Sequence, residues 1–138
     1  MVTVTKTVRF DAAHVLTGHD GPCRNLHGHT YRVDVSVAAG DVGGAGMAID
    51  FKTLKRIATE TVCGPFDHAF MYCIQNEGER AIAEVAERLG MRTVPLPFRT
   101  TAENLASHFY GLLAGRVPGL SSVKVWETAD SCAECRQA

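Results

Sequence analysis

A chain of 138 residues, 46% hydrophobic and 21% charged, has the size and mix of one ordinary globular domain, so residues 1–138 are read as a single unit. A net charge of −1, with both signs scattered along the chain, excludes a nucleic-acid footprint and a basic membrane-binding face. No apolar run reaches the roughly 18 residues that span a bilayer, and five irregularly spaced cysteines give no disulfide framework, so reduced thiols and a cytoplasmic location are expected.

From Val2 to His14 the sequence alternates, with Val2, Val4, Lys6, Val8, Phe10, Ala12 and His14 on one face and Thr3, Thr5, Thr7, Arg9 and Asp11 on the other. A second alternating run starts at His27 and puts His27, His29, Tyr31, Val33, Val35 and Val37 together. Paired as an antiparallel hairpin, the two runs bring His14 beside His27 and His29, all on the apolar face. Gly28 permits a close backbone approach, and the loop Val15 to Leu26 carries Cys23 over the same end. Three imidazoles around an open fourth position are the ligand set of a catalytic zinc. Cys23 then either works beside the metal as a thiol of lowered pKa or closes the site as a fourth ligand. His19 lies off both registers and receives no role.

The Gly-rich stretch Ala38 to Gly46 leads to an expected short strand at Met47 to Ile49. Asp50 is an N-cap for a helix burying Phe51, Leu54, Ile57 and Val62, with Gly64-Pro65 as its stop. Beyond it, the sequence FDHAF sets Asp67 and His68 side by side, an orienting carboxylate next to a general acid or base. A shorter helix is expected near Glu79 to Leu89, with Ile82, Val85 and Leu89 as its apolar stripe. TVPLPF reads as an interrupted extended segment. The stretch TTAE, Thr100 to Glu103, has the form of a capping box for a helix turning Leu105, Phe109, Leu112 and Leu113 inward. The last strand, Ser122 to Thr128, puts Glu127 on the same face as Val123 and Val125, an acid in need of a specific donor. Cys132 and Cys135 have the spacing of a metal or redox pair but fall in a polar tail. Together the elements predict an α+β fold, with a small antiparallel sheet and helices on one face.

FDAAH, CRNLHGH, MAIDF, FDHAF, TAENLA and WET, in this order and spacing over nearly the whole chain, resemble the 6-pyruvoyltetrahydropterin synthase family. The three residues between Cys23 and His27 match its bacterial 6-carboxy-5,6,7,8-tetrahydropterin synthase branch, whereas the animal pyruvoyl enzymes have a longer gap. The resemblance implies a T-fold, a four-stranded antiparallel sheet with two main helices on one face, assembling into barrels as a homo-hexamer. It implies Zn2+ on His14, His27 and His29, and Cys23 as catalytic thiol. Asp67 and His68 would reach the site from a neighbouring subunit. Glu127 would anchor the pterin, with Thr101 and Glu103 near the pterin pocket. Two departures stand out: Thr100 where a proline is usual, and a longer segment from Tyr72 to Arg99.

The implied reaction is a lyase step converting dihydroneopterin triphosphate to 6-carboxy-5,6,7,8-tetrahydropterin, with loss of acetaldehyde and triphosphate, in 7-deazaguanine (queuosine-type) biosynthesis. The alternatives are a 6-pyruvoyltetrahydropterin synthase, a zinc-stabilised interaction domain without catalysis, and a pterin-binding protein without turnover. The partner is a small molecule, with no nucleic acid and no membrane.

Overall fold

A computed structural model describes residues 1–138. Strands β1 (Val2–His14) and β2 (His27–Ala39) form the expected hairpin, with His14 opposite His27 and Ala12 opposite His29. Gly28 faces Ala13, and a Cβ there would lie 3.1 Å from the Ala12 carbonyl oxygen, so the close approach needs glycine. β5 (Leu120–Thr128) pairs antiparallel with β2. The core lies on the face carrying Val8, Phe10, Tyr31, Val33, Val35, Val123 and Val125.

The sheet has six strands rather than four, and it is mixed rather than antiparallel. Its order is β4-β3-β1-β2-β5-β6. β3 (Ala69–Cys73) runs parallel to β1, and β4 (Thr93–Leu96) parallel to β3. Between these two lies α3 (Glu77–Arg88), a crossover that accounts for much of the long Tyr72 to Arg99 segment. The TVPLPF stretch thus supplies a strand that its two prolines obscure. The C-terminal residues, read as a polar tail, form edge strand β6 (Ser131–Arg136) on β5. Cys132 and Cys135 stand three apart on that strand and project to opposite faces, so they form neither a disulfide nor a joint metal site. No strand forms at Met47 to Ile49, where the chain leaves the glycine turn and bends at Ala48 and Ile49.

Asp50 caps α1 (Phe51–Ala58) as expected, its carboxylate accepting from the Lys52 N–H. Gly64-Pro65 does not stop the helix. A π turn (Thr59–Cys63) carries it on into α2 (Gly64–Phe66), where Pro65 sits in a first turn that needs no donor from it. Phe51 is exposed rather than buried, while Leu54, Ile57 and Val62 enter the core. On α3 the stripe is likewise uncovered: Val85 and Leu89 are exposed and the helix instead buries Ala83 and Glu79. Glu79 accepts the Cys73 N–H at 3.1 Å and faces Arg99 at 3.5 Å. α4 (Ala102–Ala114) buries Leu105, Phe109 and Leu113 but leaves Leu112 exposed. No helix is long and apolar enough to cross a membrane.

Candidate metal centre and pterin pocket

The hairpin register fixes the site. His14, His27 and His29 converge with Nε2 separations of 3.0 Å between His14 and His27 and 3.1 Å between His27 and His29. The Nδ1 of His14 donates to the Thr100 carbonyl at 2.9 Å, and the Nδ1 of His27 to the Asn25 carbonyl at 2.7 Å. A carbonyl only accepts, so both rings carry their hydrogen on Nδ1 and point Nε2 lone pairs at each other. Burial, helped by the charges of His27 and His29 and opposed by the Thr100 carbonyl, lowers the His14 pKa to about 4, so that ring is neutral. Burial also lowers His29, with the Glu127 carboxylate opposing.

Two lone pairs at 3.0 Å repel unless a cation lies between them. Nitrogen ligands of a tetrahedral zinc, at bonds of about 2.0–2.1 Å, stand about 3.3 Å apart, close to the spacing here. The donor set fits a metal ion. Thr100, fully buried where the family pattern expects proline, supplies the carbonyl that orients His14. Neither Thr100 nor Asn25 carries a sequence signal for this role, because each works through its backbone oxygen.

Cys23 lies in a short 3-10 turn (Pro22–Arg24), half-buried, and its carbonyl accepts the Leu16 N–H at 2.9 Å, which ties the loop back to the end of β1. Glu127, on β5, reaches the same end, with Oε1 3.1 Å from the His29 Nε2. The donor that its position demanded is therefore a histidine. Tyr31, two residues along β2 from His29, is fully buried. Burial, then the charges of Glu127 and Cys23, push its phenol far above the ordinary value, so it stays protonated.

The Asp67–His68 pair forms and gathers with Asp11 as a cluster of its own, while His29 of the trio lines the same cavity as His68. His68 Nδ1 meets Asp67 Oδ2 at 2.9 Å, and Asp67 Oδ1 accepts the Asp11 N–H at 2.9 Å. That backbone hydrogen bond, then the one from His68, holds the Asp67 carboxyl below the usual range. His68 has φ of 58°, left-handed for a residue with a Cβ, and its N–H is clamped on the Asp11 carbonyl at 2.6 Å. Strain of this kind persists where surrounding structure enforces it, commonly at functional sites. The exposed imidazole opens on a cavity of about 740 Å³ lined by Asp11, Gly28, Thr30, Phe70, Ile82 and Arg92 among others.

Thr101, not Thr100, is the N-cap of α4, its hydroxyl accepting from the Asn104 N–H at 3.3 Å, so the capping box moves by one residue and loses its glutamate partner. Glu103 stands exposed in the first turn. Thr101 lines a smaller cavity of about 260 Å³ with Thr17, His19 and Arg99.

A family model for 6-pyruvoyl tetrahydropterin synthase matches residues 3–138. The chain belongs to this family. Among its relatives, the Haemophilus influenzae protein named 6-carboxy-5,6,7,8-tetrahydropterin synthase is 42% identical, covering 99% of this chain and 100% of that protein. An Aquifex aeolicus protein of the same name is 32% identical, with 97% of each chain covered. The fold is shared with solved structures. An uncharacterized Wolinella succinogenes protein superposes with a TM-score of 0.79 at 23% identity, covering 99% of this chain and 98% of that one. Caenorhabditis elegans 6-pyruvoyl tetrahydropterin synthase gives 0.70 at 22%, covering 99% and 96%.

Proposed function

We propose that the chain is a zinc-dependent carbon-carbon lyase, a 6-carboxy-5,6,7,8-tetrahydropterin synthase acting on 7,8-dihydroneopterin triphosphate with release of acetaldehyde and triphosphate. The convergence of three histidine Nε2 atoms beside an acid, with the loop of the half-buried Cys23 tied back to the end of β1, is the observation that carries this reading. The full-length relatives of that name support it.

His14, His27 and His29 would hold the zinc, which when bound polarises substrate oxygens and acidifies the adjacent C–H bonds. Cys23 works beside it as the base that moves a proton on the side chain. Glu127 accepts the paired N–H donors of the amino-pyrimidine edge and so sets which carbon faces the thiol. Thr101 and Glu103, at the start of α4, border the pterin. His68, kept in one orientation by Asp67, moves the second proton.

The pair forms a cluster of its own with Asp11 and serves the trio of a neighbouring subunit. The protein is accordingly a cytoplasmic homo-oligomer, a hexamer built from sheets joined into barrels, with active sites between subunits. The unpaired edges of β4 and β6 favour such joining, since a lone sheet leaves rows of N–H and C=O groups unmatched. The product serves 7-deazaguanine biosynthesis of the queuosine type.

The test is a product assay. Zinc-loaded protein given dihydroneopterin triphosphate yields acetaldehyde and the 6-carboxy product, and chelation abolishes both. A pyruvoyl product without acetaldehyde overturns the assignment.

A further inference from the structure

The Tyr31 side chain is fully buried, yet its hydroxyl has no hydrogen-bond partner. Packing explains the ring: Phe10 stacks on it at 5.0 Å between centroids, and the His29 ring meets it edge-on at 5.5 Å. A phenylalanine would pack in the same way. Only the oxygen needs a reason, because a buried polar group without a partner is costly.

The sheet register supplies one. β2 and β5 pair Val33 with Val125 and Arg32 with Trp126, and one further step sets Tyr31 beside Glu127. Both side chains then stand on the face shared by His29. The Glu127 Oε1 is 3.1 Å from the His29 Nε2. That nitrogen has two incompatible uses. It donates a hydrogen to Glu127, or it presents a lone pair to a metal. Once it is a ligand, Glu127 loses its donor while Tyr31 still lacks an acceptor.

We propose that in the metal-loaded protein the Tyr31 hydroxyl donates to the Glu127 carboxylate and so aims it at the pterin, making Tyr31 a positioning residue for substrate capture. The proposal rests on the reading of Glu127 as pterin anchor. A carboxylate has about four lone-pair sites, enough for one phenol and two pterin N–H groups.

The test measures binding of neopterin, which lacks the triphosphate, to zinc-loaded wild type, Tyr31→Phe, Glu127→Gln and the double variant. Loss of one charge-assisted hydrogen bond weakens binding about tenfold, so Tyr31→Phe should bind neopterin about tenfold less tightly. Its KM should rise in step, with kcat within about twofold and zinc per subunit unchanged. The double variant should bind little worse than Glu127→Gln alone, since both changes break one interaction. Wild-type neopterin affinity in Tyr31→Phe, a fully additive double variant, or loss of zinc overturns the proposal. If Glu127→Gln weakens binding and Tyr31→Phe does not, the anchor stands and only the role of Tyr31 falls. If Glu127→Gln binds neopterin normally, the anchor reading itself has failed and takes the role of Tyr31 with it.

Discussion

His14 and His27 face each other across the hairpin with their Nε2 atoms 3.0 Å apart, and both have committed their Nδ1 hydrogens to backbone carbonyls. The protein has thereby fixed two tautomers before any ion arrives. A ring free to flip would offer either nitrogen, whereas these offer only lone pairs, converging where the hairpin register brings them. The lone-pair arrangement that would suit a cation is thus set by hydrogen bonds one layer behind the imidazoles.

Zinc content separates ligands from the thiol. His27→Ala should lose most of the metal and with it turnover. Cys23→Ala should retain the metal at the wild-type level and lose about 10²- to 10⁴-fold in kcat, the usual contribution of a general base. Metal analysis per subunit decides between the roles, and loss of zinc from Cys23→Ala would make Cys23 a fourth ligand.

Metal-free protein should lose stability on mild acidification. The His14 pKa is about 4 in the fold against an ordinary 6.5, so the unfolded chain binds the proton first. The contribution of this group is full above about 6.5 and is lost as pH falls toward 4. Urea midpoints of the chelated protein across that window should fall, and His14→Asn should flatten the slope. An equal slope in both proteins would contradict the assignment.

The parts of the site carried by strand alternation were legible, because a period of two and a hairpin suffice to bring His14, His27 and His29 together. Tertiary pairing was not. β3 is short and almost wholly apolar and β4 contains Pro95, so neither shows the alternation of a half-buried strand, while β6 alternates, with Ala133 and Cys135 turned to the core, over too few and too weakly apolar residues to stand out. The parallel pairing of β1 with β3 has no local code, and it is this pairing that carries Asp67 and His68 to Asp11. The groups behind the ligands were invisible for another reason. Backbone carbonyls of Asn25 and Thr100 have no residue-type signature.

On the open face of the sheet, Asp34 ties three strands together. It accepts from the Thr7 hydroxyl at 2.7 Å and the Trp126 indole N–H at 2.8 Å, and Arg32, stacked over Trp126 at 4.3 Å, adds a third donor at 3.3 Å. Burial alone would raise its pKa, but these bonds outweigh it and hold the carboxyl below its ordinary 3.8. The stability it gives is therefore present above about 3.8 and disappears as pH falls through the depressed folded value. Asp34→Asn, which presents an amide to one of these donors, should cost about 1–3 kcal/mol at pH 7 and show a flatter stability curve below pH 4. Denaturant titration of both proteins from pH 7 to 3 reads both effects, and an unchanged pH 7 stability would sink the account.

Subunit complementation tests whether one active site draws on two chains. Cys23→Ala and His68→Ala subunits should each be nearly inactive alone, because each lacks one of the two proton-moving groups. When the two are unfolded together and refolded in equal amounts, subunits combine at random. A site is whole only where a chain with Cys23 meets a neighbour with His68, so about one quarter of the sites regain both groups under free mixing. Activity should therefore rise to about a quarter of wild type, whereas mixing without unfolding should restore none until subunits exchange. Were the pair to serve the trio of its own chain, every site would keep one defect and refolded mixtures would stay inactive. Asp67 and His68 gather with Asp11 in one cluster and the three histidines in another, with His29 and His68 lining one cavity, so the activity of the refolded mixture decides whether a site draws on one chain or on two.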